Sequence, residues 1–594
     1  MTFLNRHRSR IRPVGPFSPS SLFFGGIPGA WYDPTDLATM FQDSTGTTPV
    51  TAVEQPVGLI LDKSQGLVQT NLATFTFDTG VDGFAAGLGS VAAVGGELQL
   101  TTTANNGYAF RDVATVAGSW YRVQARLRRI SGTTGVILRA ATTAFANSVS
   151  ATVVTSGSLT TVTVYYLATT ATSRFYIQGD GTGTAANVFG MEDMSIDAVA
   201  GNHASQSTAA SRPTYRARYN LLTYSEQFNN VAGWNAARGT ATGDTTVAPD
   251  GTMTADTWTE DNQVGDHDLR QVIAITTGVT YTISCYFKAN TRTFAQISTF
   301  GTGIGLRGAV VNLSNGSVAN MGGGYGAFAS VSATALANGW YRLQVTQTAG
   351  ATGNTTLSVG ATTTSTGTPS YAGDGVSNLY IWGAQLLTAA DVTATGNAYQ
   401  RIAAATVYDT APIFRPYLAF DGMDDSLATS AINFTATDKM TVFAGVTKSS
   451  DASASMIAEL STGVAAGSFA VGTAIGPAAS YFSTLTGTST AYYTETTFAA
   501  PITNVLTTSY DIAGAAIASE IFPRVNAATP ALAATGASAG TGTFGTWPLY
   551  IGRRAGTSLP FNGRLYELVV RGAASSVTEI ADTELWVNAR TGGY

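Results

Sequence analysis

An all-β chain of three antiparallel jelly-roll or β-sandwich modules, one of them discontinuous and carrying the other two as insertions, is the fold the sequence predicts. Three observations predict it. Charged residues are only 11% of 594 positions while glycine alone fills 65, which suits strands and tight turns and leaves little of the Glu, Lys, Arg and Leu that long amphipathic helices need. Hydrophobic residues at 44%, with aromatics at 10%, supply enough apolar surface to fold and exclude disorder. Two stretches of the chain also repeat each other's landmarks while interrupting a third, and a chain of this length is expected to form several cores rather than one.

Charge and composition narrow the partners. A net charge of −6 is small for the length and implies no attraction to nucleic acid or anionic lipid. No apolar run of about 18 residues is present to span a bilayer, and the start MTFLNRHRSRIRP lacks a signal-peptide core, so neither membrane insertion nor signal-directed export is expected. Cys285, the single cysteine, sits in the alternation YTISCYF and reads as a buried strand thiol.

In chain order, residues 1–28 read as an extended N-terminal arm. Arg6, His7, Arg8, Arg10 and Arg12 precede Pro13, Pro16, Pro19 and Pro28 with no period of 2 or 3.6, which fits either a disordered tail or a docking arm. Residues 29–70 hold GAWYDPTDLATMFQDSTG and then VGLILDKSQG, a short apolar strand that stops at Gly66. Residues 201–218, GNHASQSTAASRPTYRAR, begin as though they continued the same turn. Joined, the pieces read DKS-x-G, GNHA-x-Q and RP-x-Y. Residues 403–594 then supply YLAFDGMDDSLAT, KMTVFAGVTK and WPLYIGRRAGTSLPFNGRLYELVVRGAA as successive strands.

The joined pattern, following Trp31-Tyr32-Asp33, resembles the opening of concanavalin-A-like or laminin-G-like lectin domains of phage and bacterial surface proteins. The carboxyl-terminal strands look like the same family, the G-R-x-Y-E-L-x-V element from Gly563 to Val570 above all.

Two insertions, 71–200 and 219–402, interrupt this domain, each the size of one sandwich. Phe110-Arg111-x-Val113 leads through Gly118 to Tyr121, and Leu269-Arg270-x-Val272 leads through Gly278 to Tyr281. They close alike, with Phe189-Gly190-x-Glu192 in one and Trp382-Gly383-x-Gln385 in the other. A repeat this long means two copies of a module rather than a solenoid. In the second, NLLTYSEQFNNVAGW, APDGTMTAD, NGWYRLQVT and YAGDGVSNLYIWGAQL resemble the carbohydrate-binding-module jelly rolls of phage tail-fibre proteins.

These resemblances imply a tailed-bacteriophage virion protein, a tail-fibre or fibre-like adhesin for host-surface polysaccharide. Such a protein is made in the host cytoplasm and carried on the tail or capsid surface, which reconciles an extracellular composition with the missing signal. Other virion proteins are its expected partners through the arm, and a homo-oligomer, trimer or higher, would give weak sites avidity. A purely structural capsid or tail decoration protein is the first alternative, and a polysaccharide depolymerase the second. No enzyme is expected: His7, His203 and His267 lack metal-ligand spacing, and neither a G-x-S-x-G elbow nor a P-loop occurs, although a glycosidase's two carboxylates obey no spacing rule.

Candidate site residues follow from chemistry. Jelly rolls of this kind often carry a structural calcium, which takes carboxylate and carbonyl oxygens, and Asp78, Glu192 and Asp193 stand at the corresponding strand ends, with solvated edge carboxylates as the alternative. Asp421, Asp424 and Asp425 are read equally as a turn, and no other cofactor is implied. Sugar recognition needs exposed aromatic faces beside polar groups. Trp120, Tyr121, Trp340, Tyr341 and Trp382 lie in alternating strands and read as core, whereas Tyr325 in MGGGYGAF and Tyr371 in TPSYAGDG, near Asp374, lie in loops. Arg553 and Arg554 in YIGRRAG frame a polar site or mark a strand leaving the core.

Overall fold

A computed structural model describes residues 17–181, 186–473, 480–495 and 498–594, and every pair of its strands is antiparallel. Three separated parts of the chain build one sandwich. In one of its sheets Gly29–Tyr32 pairs with Asn562–Arg571, Ala30 opposite Val570, and Thr214–Arg216 pairs with Tyr417–Asp421, Tyr215 opposite Leu418. In the other, Ala204 lies opposite Ile60 and Ser205 opposite Ala428. Tyr32, Ile60, Ala204, Tyr215, Leu418, Val442 and Leu568 accordingly share one core.

Where the chain leaves this sandwich for the first insertion, and where it returns, buried hydrogen bonds close the gap. The Asp62 carboxylate accepts the main-chain N–H groups of Trp31, Ser64 and Asn202 at 2.7, 2.8 and 2.6 Å. The Asn202 amide donates to the Gly29 carbonyl at 2.7 Å, and the Asp62 N–H to His203 Nδ1 at 3.0 Å. Burial pushes the His203 pKa down to about 3, so the ring is neutral and free to accept. Ala200 N–H reaches the Val68 carbonyl at 3.0 Å, so the insertion enters and leaves at one place and needs only a surface turn to be opened. The second insertion is tied by Gln400, whose Oε1 accepts from the N–H groups of Tyr219 and Asn220 and whose Nε2 donates to the Ala217 carbonyl.

The two insertions share one strand order. In the first, Thr160–Leu167, Trp120–Ser131, Val188–Val199, Glu97–Thr102 and Gly89–Val94 face Val149–Ser150, Val136–Thr142, Thr172–Gly179, Tyr108–Ala114 and Ala85–Gly87. In the second, Trp340–Thr348, Thr280–Ala289, Asn378–Thr388, Ala255–Glu260 and Gly239–Thr246 take the first set's places, and Arg307–Asn312, Phe294–Gly301, Gly353–Thr362, Asp268–Ile275 and Asn235–Ala237 the second's. Tyr121 and Tyr281 do the same work, each hydroxyl accepting the N–H of the residue five positions earlier, Val116 at 2.8 Å and Thr276 at 3.0 Å. The structural match runs Ala109 to Leu269, both fully buried, so Phe110 corresponds to outward-facing Arg270 rather than to Leu269. Trp120, Tyr121, Trp340, Trp382 and Cys285 are buried, and Tyr341 partly so.

Two features depart from the sequence reading. Val577–Thr591 is a fifteen-residue α-helix in a chain whose composition disfavours long helices. Its ends rather than its faces specify it: the Ser576 hydroxyl accepts from Glu579 N–H, Glu579 takes the Ser576 N–H at 2.7 Å, and Gly592 closes it at φ +70°. Its Val587 packs with Leu22, Phe23, Trp31, Phe443, Val505 and Val569. Leu22 and Phe23 are thereby buried, so Pro19–Phe23 forms a short docked 3-10 turn rather than an extended arm, while Phe24 beyond it is exposed. The arginines of the arm fall outside the described residues.

Candidate ligand-binding face

Successive strand residues point to opposite sides of a sheet. In the first insertion Ala109, Leu138, Ala140 and Ile177 point into the core, which turns Tyr108, Phe110, Asp112, Arg139, Arg174, Tyr176 and Gln178 outward. Pairing sets them in rows: Phe110 opposite Tyr176 and Tyr176 opposite Arg139, Asp112 opposite Arg174, Tyr108 opposite Gln178.

A turn then lowers a further ring onto these rows. Phe145 lies with its centroid 5.2 Å from Tyr108 and 5.4 Å from Tyr176, edge to face with both. The Arg174 guanidinium is 4.0 Å from the Phe110 ring and 4.7 Å from that of Phe145, while its Nε and Nη2 donate to Asp112 at 2.7 and 2.8 Å. Those hydrogen bonds, more than the opposing burial, hold the Arg174 pKa above its usual value. The Tyr176 hydroxyl meets Ser148 Oγ at 3.0 Å. Phe145 is 38% exposed and held at φ +61°, a conformation rare for a bulky side chain and costing about 1–3 kcal/mol. The turn is maintained by Phe145 N–H on the Thr142 carbonyl at 2.8 Å and Ala146 N–H on Thr142 Oγ1 at 3.1 Å. Arg139 Nε is buried without a hydrogen-bond partner. Tyr176 itself is only 3% exposed, so the aromatic surface open to a sugar ring is that of Phe145 with partly exposed Tyr108 and Phe110, beside an ion pair, the Gln178 amide and the exposed Ser148 hydroxyl.

The matching face of the second insertion has the opposite character. Arg270 Nε donates to Asp268 at 2.7 Å and Nη2 to Asp266 at 2.6 Å, with the guanidinium 5.3 Å from the Phe300 ring. Ser358 Oγ donates to Asp268 and accepts from Gln296 Nε2 at 3.0 Å. Met321 seats itself over Gly308, and Gly322 N–H bonds the Thr366 carbonyl at 2.9 Å, roofing this polar floor so that Gln296 Oε1 and Ser298 Oγ are buried without partners.

Tyr325 lies half-buried beside that roof, its pKa raised by burial and then by Asp266 and Asp268. Tyr371 and Asp374 are brought together, but in a closed knot: the Tyr371 hydroxyl donates to Glu260 at 2.8 Å, its ring stacks 4.3 Å from His267, and Asp374 N–H donates to Glu260 at 3.0 Å. Arg292 completes the knot with two bonds to Glu260. Hydrogen bonds from Ser377 hold Asp374 well below the usual carboxylate range. Arg553 and Arg554 share no partner. Arg553 donates to the Thr557 carbonyl at 2.8 Å, and Arg554 Nε to Glu459 at 2.9 Å.

Asp78, Glu192 and Asp193 are not gathered as a metal set, and Glu192 pairs with Arg126 instead. Among the described residues only Asp421, Asp424 and Asp425 bring carboxylate oxygens within 4.8 Å of one another. They form a turn in which Asp421 accepts Met423 N–H at 2.8 Å, Asp424 accepts from Ser211 Oγ at 2.8 Å and Asp425 accepts Asp421 N–H at 3.0 Å.

No family model and no curated protein matches this chain. Among solved structures it is similar to the N-terminal CBM22-1-CBM22-2 tandem domain of Paenibacillus barcinonensis Xyn10C, at 11% identity over 54% of this chain and 98% of that one, with a TM-score of 0.26. It is similar also to the CBM22-1-GH10 modules of a Clostridium thermocellum endo-1,4-β-D-xylanase complexed with xylohexaose, at 15% identity over 27% and 32% of the two chains and a TM-score of 0.19. The tandem CBM51 modules of the Streptococcus pneumoniae family 98 glycoside hydrolase match at 10% identity over 54% and 93%, with a TM-score of 0.14. At such scores these likenesses locate no site on this chain.

Sequence reasoning passed over Tyr108, Phe110, Phe145 and Tyr176. A signal was present in YAFRD, where Tyr108, Phe110 and Asp112 alternate with a small inward Ala109. Phe145, alone among small residues in TTAFANS, was a second.

Proposed function

We propose that this protein binds host-surface glycan across the outward face of its first insertion. The observation that carries the reading is Phe145, an exposed ring held at positive φ against Tyr108 and Tyr176 beside the Arg174–Asp112 pair. The finer reading is an adhesin of a tailed-phage particle, non-enzymatic and multimeric. It is supported by the resemblance of the sequence in residues 29–70, 201–218 and 403–594 to lectin-like domains of phage and bacterial surface proteins, including the joined DKS-x-G and GNHA-x-Q elements.

Binding of the whole chain to an array of bacterial surface polysaccharides tests the proposal, with calorimetry on the best ligand. A Tyr108→Ala variant is expected to weaken binding by about tenfold or more, since losing one stacking ring costs roughly 1.4 kcal/mol. A protein that binds nothing on the array is a decoration protein. New reducing ends in the treated polysaccharide would make it a depolymerase.

A further inference from the structure

Under the second insertion, where the chain enters and leaves it, a cavity of about 570 Å3 opens against the split sandwich. Three arginines, Arg216, Arg218 and Arg564, line it beside the carboxylates Glu54 and Asp421. Arg564 is neutralised by Asp391 at 2.5 Å and lies 4.7 Å from the Tyr417 ring. Arg216 gives Nε to Glu54 at 2.8 Å and keeps its side chain 45% exposed. Arg218 has no carboxylate within salt-bridge distance among the described residues. It donates only to main-chain carbonyls, of Asn220, Leu221, Leu222 and Ala405, at 3.1 to 3.2 Å, and burial pulls its pKa down. Glu54 is the first charge that acts to raise it, and that carboxylate is already shared by Arg216 and the Tyr408 hydroxyl, so a ligand anion would add to an incomplete balance.

The rest of the lining says what kind of anion fits. A bare phosphate or sulfate would fill little of this volume, which is of the size that takes a small organic ligand. Glu54, Asp421, Asn562 and Ser449 stand on the same wall. The two carboxylates accept hydrogen bonds from hydroxyl groups, which a simple anion lacks and a hydroxylated one carries. A second pocket of about 210 Å3 shares Arg216 and Asp421 with the first, so the groove extends beyond one unit. Glu54, which orients Arg216, is itself held at φ +63°, a strained position for a side chain of its length.

We infer that this cavity is a second saccharide site, specific for a carboxylated sugar unit, with the exposed Nη groups of Arg216 on the carboxylate, the Arg218 charge behind them, and Glu54 and Asp421 on hydroxyls. It is independent of the aromatic face of the first insertion.

Titration of the full chain with a glucuronate-containing oligosaccharide, its neutral glucose counterpart and inorganic sulfate tests this. The acidic oligosaccharide is expected to bind at least about tenfold more tightly than either of the others. Arg216→Gln, which leaves the Arg218 bonds intact, is expected to abolish that preference while binding at the aromatic face, measured on the same folded variant, is unchanged. Phe145→Ala is expected to leave it as it was, which separates this site from the aromatic face. Equal affinity for acidic and neutral sugars, sulfate binding as tight as the sugar's, or an unaltered preference in Arg216→Gln would overturn the inference.

Discussion

Phe145 shows what single residues contribute. Its ring meets two tyrosines edge to face yet sits on backbone that a glycine would adopt without strain. Phe145→Gly is therefore expected to keep stability within about 1 kcal/mol of wild type, relief of strain offsetting lost contacts, while glycan affinity falls. Calorimetric melting beside a binding isotherm measures both. Asp425 makes a second residue-scale prediction. Burial first, then the charge of Asp421, pushes its pKa to about 7, above the unfolded value near 3.9. Folding thus favours the protonated form, and this contribution is complete below about pH 4 and lost as pH rises through 7. The melting temperature is expected to fall between about pH 4 and 7, less steeply in Asp425→Asn. At this scale the sequence told buried from exposed well for Trp120, Trp340 and Cys285, because alternation states it directly. It could not disclose that Tyr371 would spend its hydroxyl on Glu260, since 111 residues of chain separate them.

Between residues and whole, the decisive elements are ends and joints. Asp62 takes three main-chain N–H groups from both sides of the first insertion. Asp62→Ala would leave them buried and unpaired, at about 1–3 kcal/mol each, and chemical denaturation should show the split sandwich losing more than about 3 kcal/mol. This joint was legible as DKS-x-G followed by GNHA because turn chemistry is local, even when its halves are far apart. The helix Val577–Thr591 was missed for the converse reason: composition averages over windows, whereas its signal lies in Ser576, Glu579 and Gly592. Ser576→Ala is expected to cost about 1 kcal/mol, read from the same denaturation curves.

For the molecule as a whole, strand order identifies the two insertions as one architecture with two different outer faces. Sequence landmarks such as Gly118 to Tyr121 and Gly278 to Tyr281 exposed the kinship because a Tyr hydroxyl fixes the same turn in each. They misplaced the strand register by one, and in a sheet one residue exchanges core for surface. Setting Phe110 beside Leu269 therefore matches an outward ring to a core residue. Hydrogen–deuterium exchange of the full chain, free and saturated with its tightest array ligand, tests glycan binding on the first insertion most directly. Protection is expected in the strands Tyr108–Ala114 and Thr172–Gly179 and in the turn around Phe145. Protection confined to the second insertion or to the split sandwich would contradict it.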